Sequence, residues 1–231
     1  MIRRLLLPVV LVCVVPSTYA FDVGYSHTYE DYSKKNYDQI NLSHTFKNNV
    51  TTTFEMRGKS EEYANGKQGK ALSNVDLVET HYKVKYKYRY SDRLTISPDM
   101  GWDHYHKKET ERYKVRVGFT YNLTPQFQVY NKYRYDYFTN KHASNFDYYT
   151  IELGLNQNVG NWGLTYGYDQ YYTSRNYMYD NQYVDYKVKF AAEYKLTPNF
   201  KPYFEIRNEC YKNYLSQRQT NVEVGFNYKF F

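Results

Sequence analysis

The chain has 231 residues, of which 31 are Lys or Arg and 24 are Asp or Glu, giving a formal charge of +7; its 32 tyrosines and 13 phenylalanines help bring aromatics to 20%. A mean hydropathy of -0.86 excludes a bundle of membrane helices, each of which needs about 20 consecutive apolar residues. The aromatic content argues against a disordered chain, because such chains lack the large side chains that reward folding.

The first element reads as an export leader. Arg3 and Arg4 form a basic start, Leu5 to Val15 an apolar run, and Thr18-Tyr19-Ala20 a small-residue cleavage site. This predicts a signal peptide over residues 1–20 and one domain over residues 21–231. Of the two cysteines only Cys210 falls within that domain, so no internal disulfide is expected. A lipid anchor through Cys13 is disfavoured, because Val12 stands where a small residue is needed.

From Phe21 onward the apolar residues recur at period two rather than at a helical period. The pattern predicts strands near 21–29, 37–46, 50–59, 76–90, 94–105, 112–123, 127–137, 147–157, 162–172, 183–196, 200–210 and 218–230. The clearest alternation sets Tyr82, Val84, Tyr86, Tyr88 and Tyr90 against Lys83, Lys85, Lys87 and Arg89, on opposite faces of one strand. Tyr113, Val115 and Val117 oppose Lys114 and Arg116 in the same way, and Tyr186 and Val188 oppose Lys187 and Lys189. Most of these segments are roughly 9–14 residues, the length a tilted strand needs to cross a bilayer. Soluble strands are nearer 5–6.

The connections alternate as well. Lys47-Asn48-Asn49, Ser91-Asp92-Arg93, Thr124-Pro125-Gln126, residues 158–161 and Thr197-Pro198-Asn199 are short and built from turn formers. Those near 30–36, 60–75, 106–111, 138–146, 173–182 and 211–217 are longer and polar. Short turns alternating with long loops on an even strand count predict an all-β, twelve-stranded antiparallel transmembrane β-barrel of a bacterial outer membrane. A soluble sandwich or lipocalin-like barrel would also alternate, but with shorter strands or with its apolar face inward.

If tyrosine and valine meet lipid, the charged face lines the lumen, and the barrel closes because open sheet edges cannot persist in hydrocarbon. Twelve strands fall between eight, which side chains can fill, and sixteen, which leave a wide channel, so a narrow aqueous pore is expected. The candidate solute contacts are Lys83, Lys85, Lys87, Arg89, Arg112, Lys114, Arg116, Lys132, Arg134, Lys187, Lys189 and Arg207. Inward carboxylates, among them Asp99, Asp103, Glu152, Asp169 and Glu223, are fewer than the bases. The plainer alternative is a self-neutralised interior of cross-strand ion pairs and a small-solute pore without anion preference. A carboxylate about 4 Å from one ammonium gains roughly 4 kcal/mol at an effective dielectric near 20, before desolvation. Repeated weak sites permit passage without trapping.

Asn199-Phe200-Lys201-Pro202-Tyr203-Phe204-Glu205-Ile206-Arg207-Asn208, Arg218-Gln219-Thr220 and Val224-Gly225-Phe226-Asn227-Tyr228-Lys229-Phe230 resemble the C-terminal region of the oligogalacturonate-specific porins, a family that includes sialic-acid channels. Leu42-Ser43-His44-Thr45-Phe46 resembles their second-strand motif. The resemblance implies a monomeric channel that takes up acidic oligosaccharides by diffusion, without a cofactor. It adds Arg218 as a solute contact, while Asn221 and Glu223 depart from the more basic face it implies.

An outer-membrane barrel enzyme such as a phospholipase is the alternative function. The six histidines, at 27, 44, 81, 104, 106 and 142, have no serine in a recognisable nucleophile motif beside them, so no catalytic residue is assigned. Asp103-His104-Tyr105-His106 is too sparse a ligand set for a metal. A nucleic-acid surface is disfavoured because bases and rings stand on opposite faces and cannot form one platform.

Overall fold

In the computed structural model, the described residues are 21–60, 75–173, 178–212 and 214–230. The expected leader with Cys13, most of the longest loop, part of the loop at 173–182 and Phe231 lie outside them. The strands are β1 (Phe21–Glu30), β2 (Asn36–Thr45), β3 (Val50–Ser60), β4 (Val75–Tyr86), β5 (Tyr88–Arg89), β6 (Leu94–Tyr105), β7 (Thr110–Asn122), β8 (Phe127–Asn140), β9 (Phe146–Val159), β10 (Trp162–Tyr172), β11 (Val184–Tyr194), β12 (Phe200–Cys210) and β13 (Arg218–Lys229).

Each strand pairs antiparallel with its chain neighbour except that β4 and β5 both pair with β6, and β1 pairs with β13 from Asp22↔Lys229 to Glu30↔Asn221, which closes the sheet. The result is a barrel of twelve staves, because β4 and β5 are one stave interrupted at Lys87. The expected strand over 76–90 is interrupted there: β3 begins opposite Tyr86, and Tyr88 and Arg89 pair with β6 alone, in the register that β4 keeps with it. Tyr86 pairs with Val50, the first residue of β3, and beyond it only the Lys87 N–H reaches back, to Asn49 O at 3.1 Å. The expected loop at 106–111 is a tighter turn over residues 106–109, and β8 runs on to Asn140 because it pairs with the whole of β7.

The short connections close by local chemistry. Thr124 Oγ1 accepts from the N–H groups of Gln126 (3.2 Å) and Phe127 (3.1 Å), and Thr197 Oγ1 from those of Asn199 (3.3 Å) and Phe200 (2.9 Å). Ser91 Oγ does the same for Arg93 and Leu94. These hydroxyls supply the turn that the backbone would otherwise make alone. Between β9 and β10 a two-residue turn places Gly160 at φ 58, a conformation glycine adopts without strain.

The burial pattern is the reverse of a soluble protein's. The buried set is dominated by polar groups such as Ser26, Thr28, Asp103, Asp136, Thr150, Glu152, Asp169 and Asn221. The exposed set holds Val84 at 46%, Met100 at 64%, Val115 at 62%, Leu153 at 46% and Val224 at 52%. Such a surface requires an apolar solvent, and a polar interior is what a membrane barrel encloses. A rim of rings marks the turn side, where Phe21 and Phe230 lie 5.8 Å apart, Phe200 and Phe226 5.4 Å, and Trp162 and Tyr194 4.8 Å. Aromatic residues suit a boundary that is apolar on one side and wet on the other.

Candidate functional site: the lumen

Alternation turns the bases of β4, β7, β8, β11 and β12 inward, and the loop-side half of the lumen then neutralises most of them. Asp103, fully buried, bonds the Arg112 guanidinium and lies 2.6 Å from Lys114 Nζ and 2.8 Å from His81 Nδ1. The other nitrogen of His81 is 3.2 Å from Glu79, which is itself 3.7 Å from Arg57. With a carboxylate at each ring nitrogen, the doubly protonated imidazolium is the form that satisfies both. Glu152 collects Arg134 at 3.0 Å, Lys132 at 3.2 Å and Arg116 at 3.6 Å. Arg116 also holds Asp99 and Arg134 holds Asp136, both at 2.8 Å. Across the barrel Lys187 lies 2.9 Å from Asp169, and Arg207 lies 2.8 Å from Glu205 and 2.9 Å from Glu223. A shortage of acids therefore leaves few of the bases free, because one carboxylate serves two or three of them. Isolated burial of either sign would cost several kcal/mol, so these pairs persist as clusters.

Rings fill much of the remaining loop-side space. Phe138 stacks on Phe146 at 4.5 Å and meets Tyr148 at 5.1 Å, with the Arg112 guanidinium 5.5 Å from its centroid. Tyr171 stands within 5.9 Å of Arg134 and 5.8 Å of Lys187.

Three inward bases escape this pairing. Among the described residues Lys83, Lys85 and Lys189 have no carboxylate within 4.0 Å. The register explains it: Lys83 stands between Thr53 and Gly101, and Lys189 between Gly167 and Arg207. Lys85 has Asp99 opposite, but Arg116 occupies that carboxylate. Lys87 and Arg89 sit exposed at the turn-side mouth.

Sequence reasoning missed how the lysines are steered. Gly101, Gly118 and Gly167 stand directly across from Lys114, Lys132 and Lys189. A Cβ on them would lie 3.0 Å from Lys114 Cε, 3.3 Å from Lys132 Cγ and 2.5 Å from Lys189 Cε, so each stem lies flat on the wall where a side chain is absent. Inward Tyr130 uses Gly154 in the same way, and Lys132 Nζ lies 4.8 Å from its ring. A glycine in phase with the polar face was the available signal.

Arg218 requires correction. Expected as a lumen contact, it is instead a wedge in the seam between β11 and β12, whose ladder stops at Val188↔Asn208. Its guanidinium donates to the carbonyls of Tyr186 and Asn208, to Asn208 Oδ1 at 2.6 Å and to Asp185 at 3.0 Å, and stacks 3.9 Å over the Tyr186 ring. Four of its donations serve to close a wall that backbone pairing leaves open.

His104 and His106 each find a partner on a strand beside β6. His104 Nδ1 lies 2.6 Å from Glu111 on the lipid-facing side, and His106 Nε2 lies 2.8 Å from Thr80 Oγ1. Among the described residues no group of three or more His, Cys, Asp or Glu side chains could hold a metal.

Comparison with known proteins agrees with this geometry. The family described as oligogalacturonate-specific porin protein (KdgM) matches residues 14–230. Among relatives, the uncharacterised protein YiiY of Salmonella typhimurium is 25% identical over 234 residues, covering 98% of this chain and 96% of its own. The oligogalacturonate-specific porin KdgM of Dickeya dadantii is 24% identical over 222 residues, covering 91% and 92%. In fold, the NanC porin superposes with a TM-score of 0.74 at 15% identity, over 90% of this chain and all of its own. KdgM in complex with disordered oligogalacturonate superposes with 0.66 at 19% identity, over 91% and 99%.

Proposed function

The chain belongs to the oligogalacturonate-specific porin family and is an outer-membrane channel protein, and from that premise we propose that it passes acidic oligosaccharides by diffusion, with preference for anions. The supporting observation is the set of unpaired lysines, Lys83 and Lys85 on β4 and Lys189 on β11, which stand on opposite walls of one lumen. Fixed charges of one sign in a narrow low-dielectric channel concentrate counter-ions there, and a polyanion can pass from one ammonium to the next. Paired bases such as Arg112 and Arg207 shape the wall and contribute little net potential. The reading includes export through a leader over residues 1–20, function as a monomer, and no catalysis; it extends solute contact to Lys87 and Arg89 at the mouth.

Planar-bilayer recording with and without added oligogalacturonate tests it. The expected result is a reversal potential displaced toward that of the anion, with current interruptions when the sugar is added. Cation preference, or absence of conductance in a folded barrel, overturns the reading.

A further inference from the structure

Below Tyr130 and Lys189 the turn-side lumen contains a cavity of about 440 Å³ that carries almost no charge. Its wall crosses β8 to β13 and includes Gln128, Asn156, Asn158, Thr165, Tyr203 and Asn227. Register places Gln128, Asn156, Thr165 and Ala191 side by side across four strands, and Ala191 and Gly163 make the wall concave by lacking bulk. Its one carboxylate, Glu193, is engaged 3.0 Å from Lys201.

The polar groups are not spent on one another. Among the described residues Gln128 and Asn158 make no side-chain hydrogen bond to protein, and Asn156 makes one, accepting from Thr165 at 3.0 Å while its amide N–H groups stay free. A carboxamide both donates and accepts, as a sugar hydroxyl does, so a row of free carboxamides matches neighbouring hydroxyls better than it matches any simple ion. Tyr203, its hydroxyl fixed 2.9 Å from Glu223, contributes a ring at the edge of the cavity. Lys189, unpaired, stands two residues along β11 from Ala191 and on the same face, roughly 7 Å away.

We propose that this cavity is a ring-binding subsite: the amides hold the hydroxyls of one pyranose unit, and Lys189 at its upper rim holds the carboxylate of that unit. The proposal rests on the acidic-saccharide reading and deepens it. A channel that used charge alone would treat any trianion alike, whereas this one retains a uronate longer than an equally charged anion without hydroxyls.

The probes are trigalacturonate and propane-1,2,3-tricarboxylate, each added to single channels in a planar bilayer. In Gln128→Ala/Asn156→Ala, trigalacturonate block shortens by about tenfold, as the loss of two hydrogen bonds implies, while tricarboxylate block and reversal potential stay unchanged. Ala191→Leu, which fills the cavity without removing a polar group, shortens the same block, and heat-modifiable gel migration verifies that both variants form barrels. Unchanged trigalacturonate dwell times in both folded variants overturn the subsite while leaving the channel reading intact. Cation preference of the unaltered channel overturns the channel reading itself.

Discussion

The two halves of the lumen are built from the same alternating strands and do different work. On the loop side, Asp103 and Glu152 each gather several bases, Phe138 stacks on Phe146, and charge is locked into the wall. On the turn side Lys85 and Lys83 face Thr51 and Thr53 and remain unpaired, and Asn156 beside Thr165 keeps its amide N–H groups free. Inward charge is therefore not equivalent to available charge: what stands opposite in the register decides whether a base stabilises the barrel or faces the solute.

The largest expected effect breaks the loop side. Asp103→Asn leaves Arg112, Lys114 and His81 without their shared carboxylate, and a buried cluster that loses one partner is destabilised by about 3–5 kcal/mol. Urea unfolding in detergent micelles or vesicles should report that loss with only a small change in ion selectivity.

The converse substitution sharpens the turn side. Lys83→Gln/Lys85→Gln/Lys189→Gln removes the unpaired bases, and the anion-to-cation permeability ratio should fall by roughly tenfold or more, since each charge acts at close range in a medium of intermediate dielectric. Unfolding free energy should hold within about 1 kcal/mol, because no ion pair is lost. Equal stability losses in this variant and in Asp103→Asn would erase the contrast between the halves.

The smallest effect lies outside the membrane-spanning strands. Burial, aided by neighbouring His104, holds the His106 imidazole below its ordinary value of 6.5. The unfolded chain therefore takes up this proton first, so the contribution is unaffected above pH 6.5 and turns against folding as pH falls below it. The amide of His106, bonded to Val78 O at 3.0 Å, should show a lower hydrogen-exchange protection factor at pH 5 than at pH 8.

The sequence carries the strands better than the site. The segments 94–105, 162–172 and 200–210 coincide with β6, β10 and β12, because each alternates without interruption from a short turn at one end to a polar loop at the other. Which base meets which acid is a property of register between strands, and no local pattern encodes it. Lys85 and Lys114 look alike in the sequence, yet Lys114 reaches Asp103 from the next strand while Arg116 has already taken Asp99 from Lys85. Arg218 was misplaced for a different reason: the resemblance supplied it, although the alternation sets it in phase with Val222 and Val224 on the apolar face, and the gap it fills exists only where the β11 and β12 ladder stops. The shift of register at Arg57/Gly58 is likewise invisible to period counting.

Cysteine labelling at adjacent positions tests the central claim most directly. In a Cys210→Ser background, Lys85→Cys should react with a charged, membrane-impermeant thiosulfonate and change the open-channel current. Val84→Cys should resist that reagent, and a nitroxide placed there should be relaxed by oxygen in lipid rather than by an aqueous nickel complex. The opposite assignment, with position 84 lining water and position 85 in lipid, would contradict the account.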